Sequence, residues 1–391
     1  MQSDIVVVGA GLAGALMAAV LTRAGLSVVV VDRHATYPSD FRAEQLVGSQ
    51  TVALRRLGLL EGLVGQTPVV PSATAACYGK IIDSTRDAHY GLRYEDMVNA
   101  ARSLATGAKF IRGRVAQVVT GPDTQTVHLA DETRLQARLV VLATGPNCGD
   151  LLSSLGIQQT TVSDNHSLSF GFDVNTTARR ILVYYGEQAG DGMDYLTVFP
   201  IGDTMRGNLF CYLDPSHPWV RSFKLDPKAA LLGVMPSLEQ TIGPFAIVGK
   251  VQVRPISIQR ANTVGRQPGV VLIGDAFQTS CPAAGTGIGR ILADVEALRR
   301  LVPVWLATPG MEANKIAQFY GDPAKRQFDA KAIRYSQHRR ALCTRTTLGW
   351  KMYRKQHYLR RRAQGMVSGA VQREMSRIIS ASTALSTFLL G

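Results

Sequence analysis

Residues 4–34, DIVVVGAGLAGALMAAVLTRAGLSVVVVDRH, read as strand, glycine turn, helix, strand. Ile5 to Val8 form a continuous apolar run of the kind that a parallel strand buried on both faces requires. Ala15 to Arg23 is rich in helix formers, Gly25 ends the helix, and Val28 to Val31 begin a second strand. A βαβ unit therefore opens the chain.

Within it, Gly9, Gly11 and Gly14 form G-x-G-x-x-G between strand and helix, and Asp32 closes the second strand eighteen residues after Gly14. Gly9 permits the tight turn, Gly11 lets a pyrophosphate approach the backbone, and Gly14 lets helix and strand pack closely. The helix N-terminus offers unpaired N–H groups and partial positive charge to phosphates, and the Asp32 carboxylate accepts from ribose hydroxyls. Leu12, Ala13 and Arg33 flank these positions and complete the candidate contacts. The pattern predicts dinucleotide binding; its alternative is a purely structural glycine turn.

Farther along, two helical stretches, SQTVALRRLGLLEGLV and YEDMVNAARSLA, precede a β-rich patch that ends in the apolar strand ARLVVLATG. From residue 158 to 256 the pattern changes to period 2, in SLSFGFDV, ILVYY, DYLTVFPIG and GNLFCYL, separated by turn formers. An antiparallel sheet inserted into the α/β scaffold is expected there. After residue 268 a buried-strand pattern returns, VVLI, and runs into GDAFQTSCPAAGTGIGRILADVEAL, residues 274–298. A carboxylate, Asp275, stands at the strand end, and bare backbone follows it into a helix.

Paired with the first glycine motif, this second stretch resembles the GD motif of the class A flavoprotein monooxygenases, the para-hydroxybenzoate hydroxylase-like group. The resemblance implies FAD. It places Gly274 and Asp275 at the ribitol, Pro282 beside the isoalloxazine ring, and Gly285, Thr286, Gly287 and Ile288 at the flavin N1 and O2 edge. The physical logic is independent of the name: reduced flavin carries negative charge near N1, which a helix N-terminus stabilises. Arg42, in DFRAEQL, is suited to neutralise a bound pyrophosphate. Tyr94, at a helix start, is where family members often present a polar residue to FAD.

Three departures from the family pattern stand out. Phe277 replaces a usual His, and Gly289 a frequent Asn. The family's middle Asp-Gly pair, linked to NAD(P)H use, is absent; Ala143, Thr144 and Gly145 stand there, a strand end familiar in other FAD-binding proteins. No second G-x-G-x-x-G is present. Two routes of reduction follow: NAD(P)H as a transient reductant, or FADH2 supplied by a separate reductase.

The expected architecture is α/β: a Rossmann-type FAD-binding domain (1–157 and 257–320), an inserted antiparallel β-sheet substrate domain (158–256), and a basic helical C-terminal segment (321–391). The expected activity is hydroxylation of an aromatic, polyketide-like or quinone-like substrate by O2 through a flavin C4a-hydroperoxide. The cofactor does the oxygen chemistry, so the protein has only to position substrate and exclude water, and no catalytic triad is predicted. Pocket candidates are Tyr184, Tyr195, Phe199, Phe210 and Pro282, with Tyr185, Tyr212, His166 and Arg206 nearby in the pattern; for each aromatic, plain core packing is the alternative.

A two-component epoxidase, an FAD-linked C=C reductase and a non-catalytic flavoprotein remain alternatives. A tryptophan-halogenase reading lacks its W-x-W-x-I-P signature, since Trp219, Trp305 and Trp350 are isolated.

Composition narrows the remaining classes. The five cysteines, Cys77, Cys148, Cys211, Cys281 and Cys343, are scattered with no ligand spacing, so neither a disulfide scaffold nor a metal site is expected. No apolar run reaches the ~18 residues of a membrane span, and MQSD leads straight into a strand without a signal-peptide pattern. A cytoplasmic enzyme, free or peripheral to the membrane, is expected. The formal net charge is +14, and residues 325–377 hold fifteen Lys or Arg against Asp329 and Glu374. That segment reads as helices packed on the body with solvated charges, or as a docking face for an anionic membrane surface or an acidic carrier protein. Specific nucleic-acid binding is not expected, because no nucleic-acid-binding fold signature accompanies the charge.

Overall fold

The computed structural model describes residues 1–146, 149–188 and 190–363. Cys148 and residues 364–391, including Arg373, Glu374, Arg377 and the apolar end ISASTALSTFLLG, lie outside the described residues.

The opening unit is β1 (Gln2–Val8), α1 (Leu12–Arg23) and β2 (Val28–Asp32). Next come β3 (Ala43–Leu46), α2 (Gly48–Arg56), α3 (Leu60–Val64), β4 (Ala73–Cys77), β5 (Lys80–Thr85), β6 (Tyr90–Arg93) and α4 (Tyr94–Ser103). Strands β7 (Lys109–Arg112), β8 (Val115–Val119), β9 (Gln125–Leu129) and β10 (Arg134–Leu142) lead to α5 (Gly149–Ser154). Then follow β11 (Gln158–Thr176), β12 (Ile181–Tyr185), β13 (Met193–Ile201) and β14 (Thr204–Cys211). Helices α6 (Pro218–Leu225), α7 (Pro227–Val234) and α8 (Leu238–Ile242) precede β15 (Phe245–Asn262). The chain returns through β16 (Val270–Leu272), two 3₁₀ turns at Gly274–Ala276 and Pro282–Ala284, α9 (Gly287–Leu306), α10 (Ala313–Gly321) and α11 (Pro323–Thr344). A last helix covers residues 348–363.

The fold is α/β. Its first sheet has β7, β2, β1, β10 and β16 side by side and parallel, with the β8–β9 hairpin antiparallel on the start of β10. Ile5 and Val7 face the cluster that includes α1, α4 and α9, while Val6 and Val8 face the opposite cluster under β8, β9 and α5. Coverage of both faces is why β1 reads as an unbroken apolar run. Helix α1 ends as read: the Gly25 N–H bonds the Thr22 carbonyl and the Leu26 N–H bonds that of Leu21, with Gly25 at φ +81°.

The second sheet has the order β15, β11, β14, β13, β12, β4, β5. It is antiparallel except where β4 joins β12 in parallel. Residues 73–85 thus hydrogen-bond into this sheet, although the sequence division assigns them to the first unit, and β15 continues to residue 262 rather than stopping at 256. Period-2 alternation sorts the faces. Leu182, Tyr184, Leu196, Val198 and Leu209 pack against α6, α7 and α8, whereas Phe210 and Tyr212, with Tyr195 against them, pack on the Cys281–Ala284 turn.

Candidate active site

The two glycine motifs meet at the carboxyl ends of the parallel strands, where open α/β sheets place ligands. Gly9 adopts φ +97°, and a Cβ on it would stand 2.5 Å from the Ala143 carbonyl oxygen. A Cβ on Gly14 would stand 1.9 Å from the Gly9 carbonyl oxygen. These two glycines are required by the protein's own packing. Gly11, Gly285 and Gly287 are different, because no atom lies within 4 Å of a Cβ built on any of them. Their bareness leaves room at the N-termini of α1 and α9 for something that is not protein, which is what a flavin dinucleotide needs.

The polar groups around this space have the same character. The Asp275 carboxylate has no hydrogen-bond partner among the described residues; burial pushes its pKa up, and Arg290 and Arg42 pull it back. The hydroxyls of Thr144 and Thr286 are buried without a partner. Ribitol hydroxyls, pyrophosphate oxygens and a flavin edge would satisfy such groups, so the residues present fit FAD. The Thr286–Gly287 backbone opens α9, a twenty-residue helix that follows directly on the Pro282–Ala284 turn.

Asp32 closes β2 as expected, but it already accepts from the Ala10 N–H at 2.6 Å and the His34 N–H at 2.8 Å. Arg102 on α4, not anticipated from sequence, lies 3.3 Å from its Oδ1. The same buried guanidinium donates to the Ala10, His34 and Ala35 carbonyls, so it binds the glycine turn to β2. Arg33 is exposed. A hint was available: Arg102 occupies the buried face of an amphipathic helix, where an unpaired cation is not tolerated.

Arg42 is not an isolated cation. Its Nε and Nη2 bond Asp40 Oδ2 at 2.9 and 2.6 Å, Nη2 also bonds Tyr37 Oη at 2.7 Å, and the guanidinium lies 3.7 Å over the Tyr94 ring. Tyr94 therefore supports Arg42 from the first turn of α4. The loop is held from the second sheet as well: Arg206 donates to the Phe41 carbonyl and Asn208 to that of Ala43 at 3.0 Å. Glu44, also unanticipated, faces Arg42, Asp40 and Asp275; burial raises its pKa to about 7.

The pocket candidates separate. Tyr195 donates from its hydroxyl to the Ala283 carbonyl at 3.0 Å and its ring packs, tilted by 56°, 5.0 Å from that of Phe210, so both stand against the Pro282 turn. Phe199 lies on this face too, but fully buried beside Ala43 and Ile181. Tyr184 is on the other face, where its hydroxyl donates to Glu187 at 2.6 Å and accepts from the Gly79 N–H. The alternation explains this, since Tyr184 and Tyr185 cannot share a face. His166 is buried, with Nδ1 3.0 Å from Ser163 Oγ and Nε2 unpartnered, and burial lowers its pKa to about 4. Arg206 pairs with Asp173 at 3.0 Å.

The basic segment is partly internal. Lys325 and Arg339 on α11 are buried, Lys325 against Asp294 and Asp329, Arg339 against Asp194. Arg290 on α9 pairs with Asp329 at 2.9 Å and donates to the Gln278 carbonyl and Ser280 Oγ. This network braces the second glycine motif from behind. Phe277 has its place in it, with Lys325 Nζ 4.0 Å over its ring. Among the described residues no cluster suited to a metal ion occurs, the four described cysteines are unpaired, and no helix is long and apolar enough to cross a membrane.

Comparison with known proteins agrees with the geometry. The family described as FAD binding domain matches residues 2–302. Squalene epoxidase erg1 of Schizosaccharomyces pombe is 23% identical over 329 residues, which span 77% of this chain and 69% of that protein. The 6-hydroxynicotinate 3-monooxygenase of Bordetella bronchiseptica is 24% identical over 331 residues, spanning 76% and 82%. The crystal structure of p-nitrophenol 4-monooxygenase PnpA from Pseudomonas putida DLL-E4 shares the fold with a TM-score of 0.73 at 16% identity, covering 97% of each chain. With the match running through both glycine motifs, this chain belongs to the FAD-binding domain family and is an FAD-dependent oxidoreductase.

Proposed function

We propose that the protein is a monooxygenase that hydroxylates an aromatic, polyketide-like or quinone-like substrate with NAD(P)H and O2. The observation that carries this reading is the apposition of the Pro282–Gly287 turn with the Tyr195 and Phe210 face of the second sheet. FAD, when bound and reduced there, supplies electrons to O2. The α9 N-terminus stabilises negative charge at the Gly285–Gly287 turn, and Asp275 holds hydroxyls by accepting. The aromatic wall excludes water and orients a flat organic substrate. No side chain is assigned as a catalytic base.

The purified protein should show flavin absorbance, and oxygen uptake with NAD(P)H should rise with a phenolic or quinol compound from a panel. No flavin binding on addition of FAD would end the proposal.

A second reading has a specific basis: the Ala143-Thr144-Gly145 strand end in place of the Asp-Gly pair, together with the squalene epoxidase likeness. In it, reduced flavin arrives from a separate reductase. Anaerobic NAD(P)H that leaves the flavin oxidised, with substrate present, would favour it.

A further inference from the structure

Away from the flavin cleft, a cavity of about 310 Å³ lies between the β4–β12–β13 side of the second sheet and the C-terminal helices. Its size is at the lower end of the roughly 300–1,000 Å³ of small-molecule sites. None of its lining residues belongs to either glycine motif. Its lining includes the Asp194–Arg339 ion pair and Cys343, which shares a buried cluster with Ala283 and Ala284, whereas neither Tyr195 nor the Pro282 turn itself is in the lining.

The lining has two parts. Ile82, Met193 and Leu342 supply apolar surface, while Lys351, Arg354, Lys355 and Arg361 supply positive charge. The two acids in the wall are already engaged. Asp194 takes Arg339 and the Tyr212 hydroxyl, and Glu187 takes the Tyr184 hydroxyl and both the N–H and hydroxyl of Ser237. Among the described residues, none of the four cations has a carboxylate within salt-bridge distance.

Arg354 makes the charge specific. Its Nη1 donates to the Leu342 and Arg345 carbonyls at 2.8 and 2.7 Å, which fixes the guanidinium plane. Its Nε and Nη2 are sealed from solvent and have no partner. Those two atoms form the edge that would grip a carboxylate or phosphate with two parallel hydrogen bonds once a head group displaces the neighbours that cover them, and leaving them empty forfeits a substantial interaction. Asp191 is near enough to attract Arg354 but does not pair with it, and its Oδ2 is itself buried without a partner.

We propose that this cavity is a second binding site, for an amphiphilic anion: an apolar body seated on Ile82, Met193 and Leu342, with a carboxylate or phosphate head on Arg354 Nε and Nη2. The proposal requires no flavin chemistry.

Titration calorimetry on the FAD-loaded protein tests it with decanoate, decyl phosphate, decanol and inorganic phosphate. One of the two amphiphilic anions should bind at least tenfold more tightly than decanol and inorganic phosphate, and the tighter one identifies the head group. Arg354→Gln should weaken it at least tenfold. Asp191→Asn, which removes a competing negative charge while keeping the bond to the Met193 N–H, should strengthen it. Should Arg354→Gln lose flavin or melt early, the paired exposed changes Lys351→Gln and Lys355→Gln serve instead, with a severalfold loss expected. Equal affinity for decanol, no binding of either anion, or an unchanged affinity in a folded, flavin-loaded variant would each overturn the proposal.

Discussion

Lys325 on α11 places its ammonium 2.7 Å from Asp294 Oδ1 on α9, and both side chains are only 1% exposed. The other oxygen, Asp294 Oδ2, accepts from the N–H of Gly274, the first residue of the second glycine motif, at 2.8 Å. A cation from the C-terminal segment thus holds the carboxylate that holds the turn next to Asp275. Replacing Lys325 with Met should leave Asp294 buried and unpaired, at a cost of about 3–5 kcal/mol in stability. Adding Asp294→Asn should recover part of that loss. Urea denaturation of the single and double variants measures both.

Asp275 has no protein hydrogen bond to lose, so Asp275→Asn should leave folding nearly unchanged. FAD affinity should fall roughly 10- to 100-fold, since hydrogen bonds to a charged acceptor are worth about 1.5–3 kcal/mol each. Flavin fluorescence titration and thermal melting of the apoprotein separate the two effects. A large loss of apoprotein stability would contradict the assigned role.

The glycines of the first motif should divide by what surrounds them. Gly14→Ala overlaps the Gly9 carbonyl oxygen and should destabilise the fold by roughly 1–3 kcal/mol or more. The Cβ of Gly11→Ala meets no protein atom within 4 Å, so the apoprotein should melt normally and yet bind FAD more weakly. Equal melting temperatures for the two variants would sink this distinction.

Two buried groups predict opposing pH effects in the flavin-free protein. Glu44 titrates at about 7 rather than 4.5, so the folded state holds the extra proton and this group's contribution falls as pH rises from 4.5 to 7. His166 titrates at about 4 rather than 6.5, so the unfolded state holds the extra proton and its contribution is lost as pH falls from 6.5 to 4. From pH 4.5 to 6.5 the two slopes oppose. Glu44→Gln should make the slope of stability against pH more positive across that window, and His166→Asn should make it more negative. Denaturation curves at several pH values check the signs.

What the sequence alone determined is local. The βαβ unit, both glycine motifs and the period-2 stretch were legible because strand burial, helix termination and turn geometry depend on neighbouring residues. Asp32, Asp275 and the Pro282–Gly287 turn were readable for the same reason. Tertiary structure decided which of the remaining polar groups act together: Arg102 with Asp32, Asp294 and Asp329 with Lys325 and Arg290, Asp194 with Arg339. It also turned Tyr184 away from the Pro282 turn while placing Tyr195 on it, and moved β4 and β5 into the second sheet. Each of these depends on groups far apart in the chain. Burial of a charge is tolerated only where such a partner arrives, and no local pattern records which distant carboxylate will supply it.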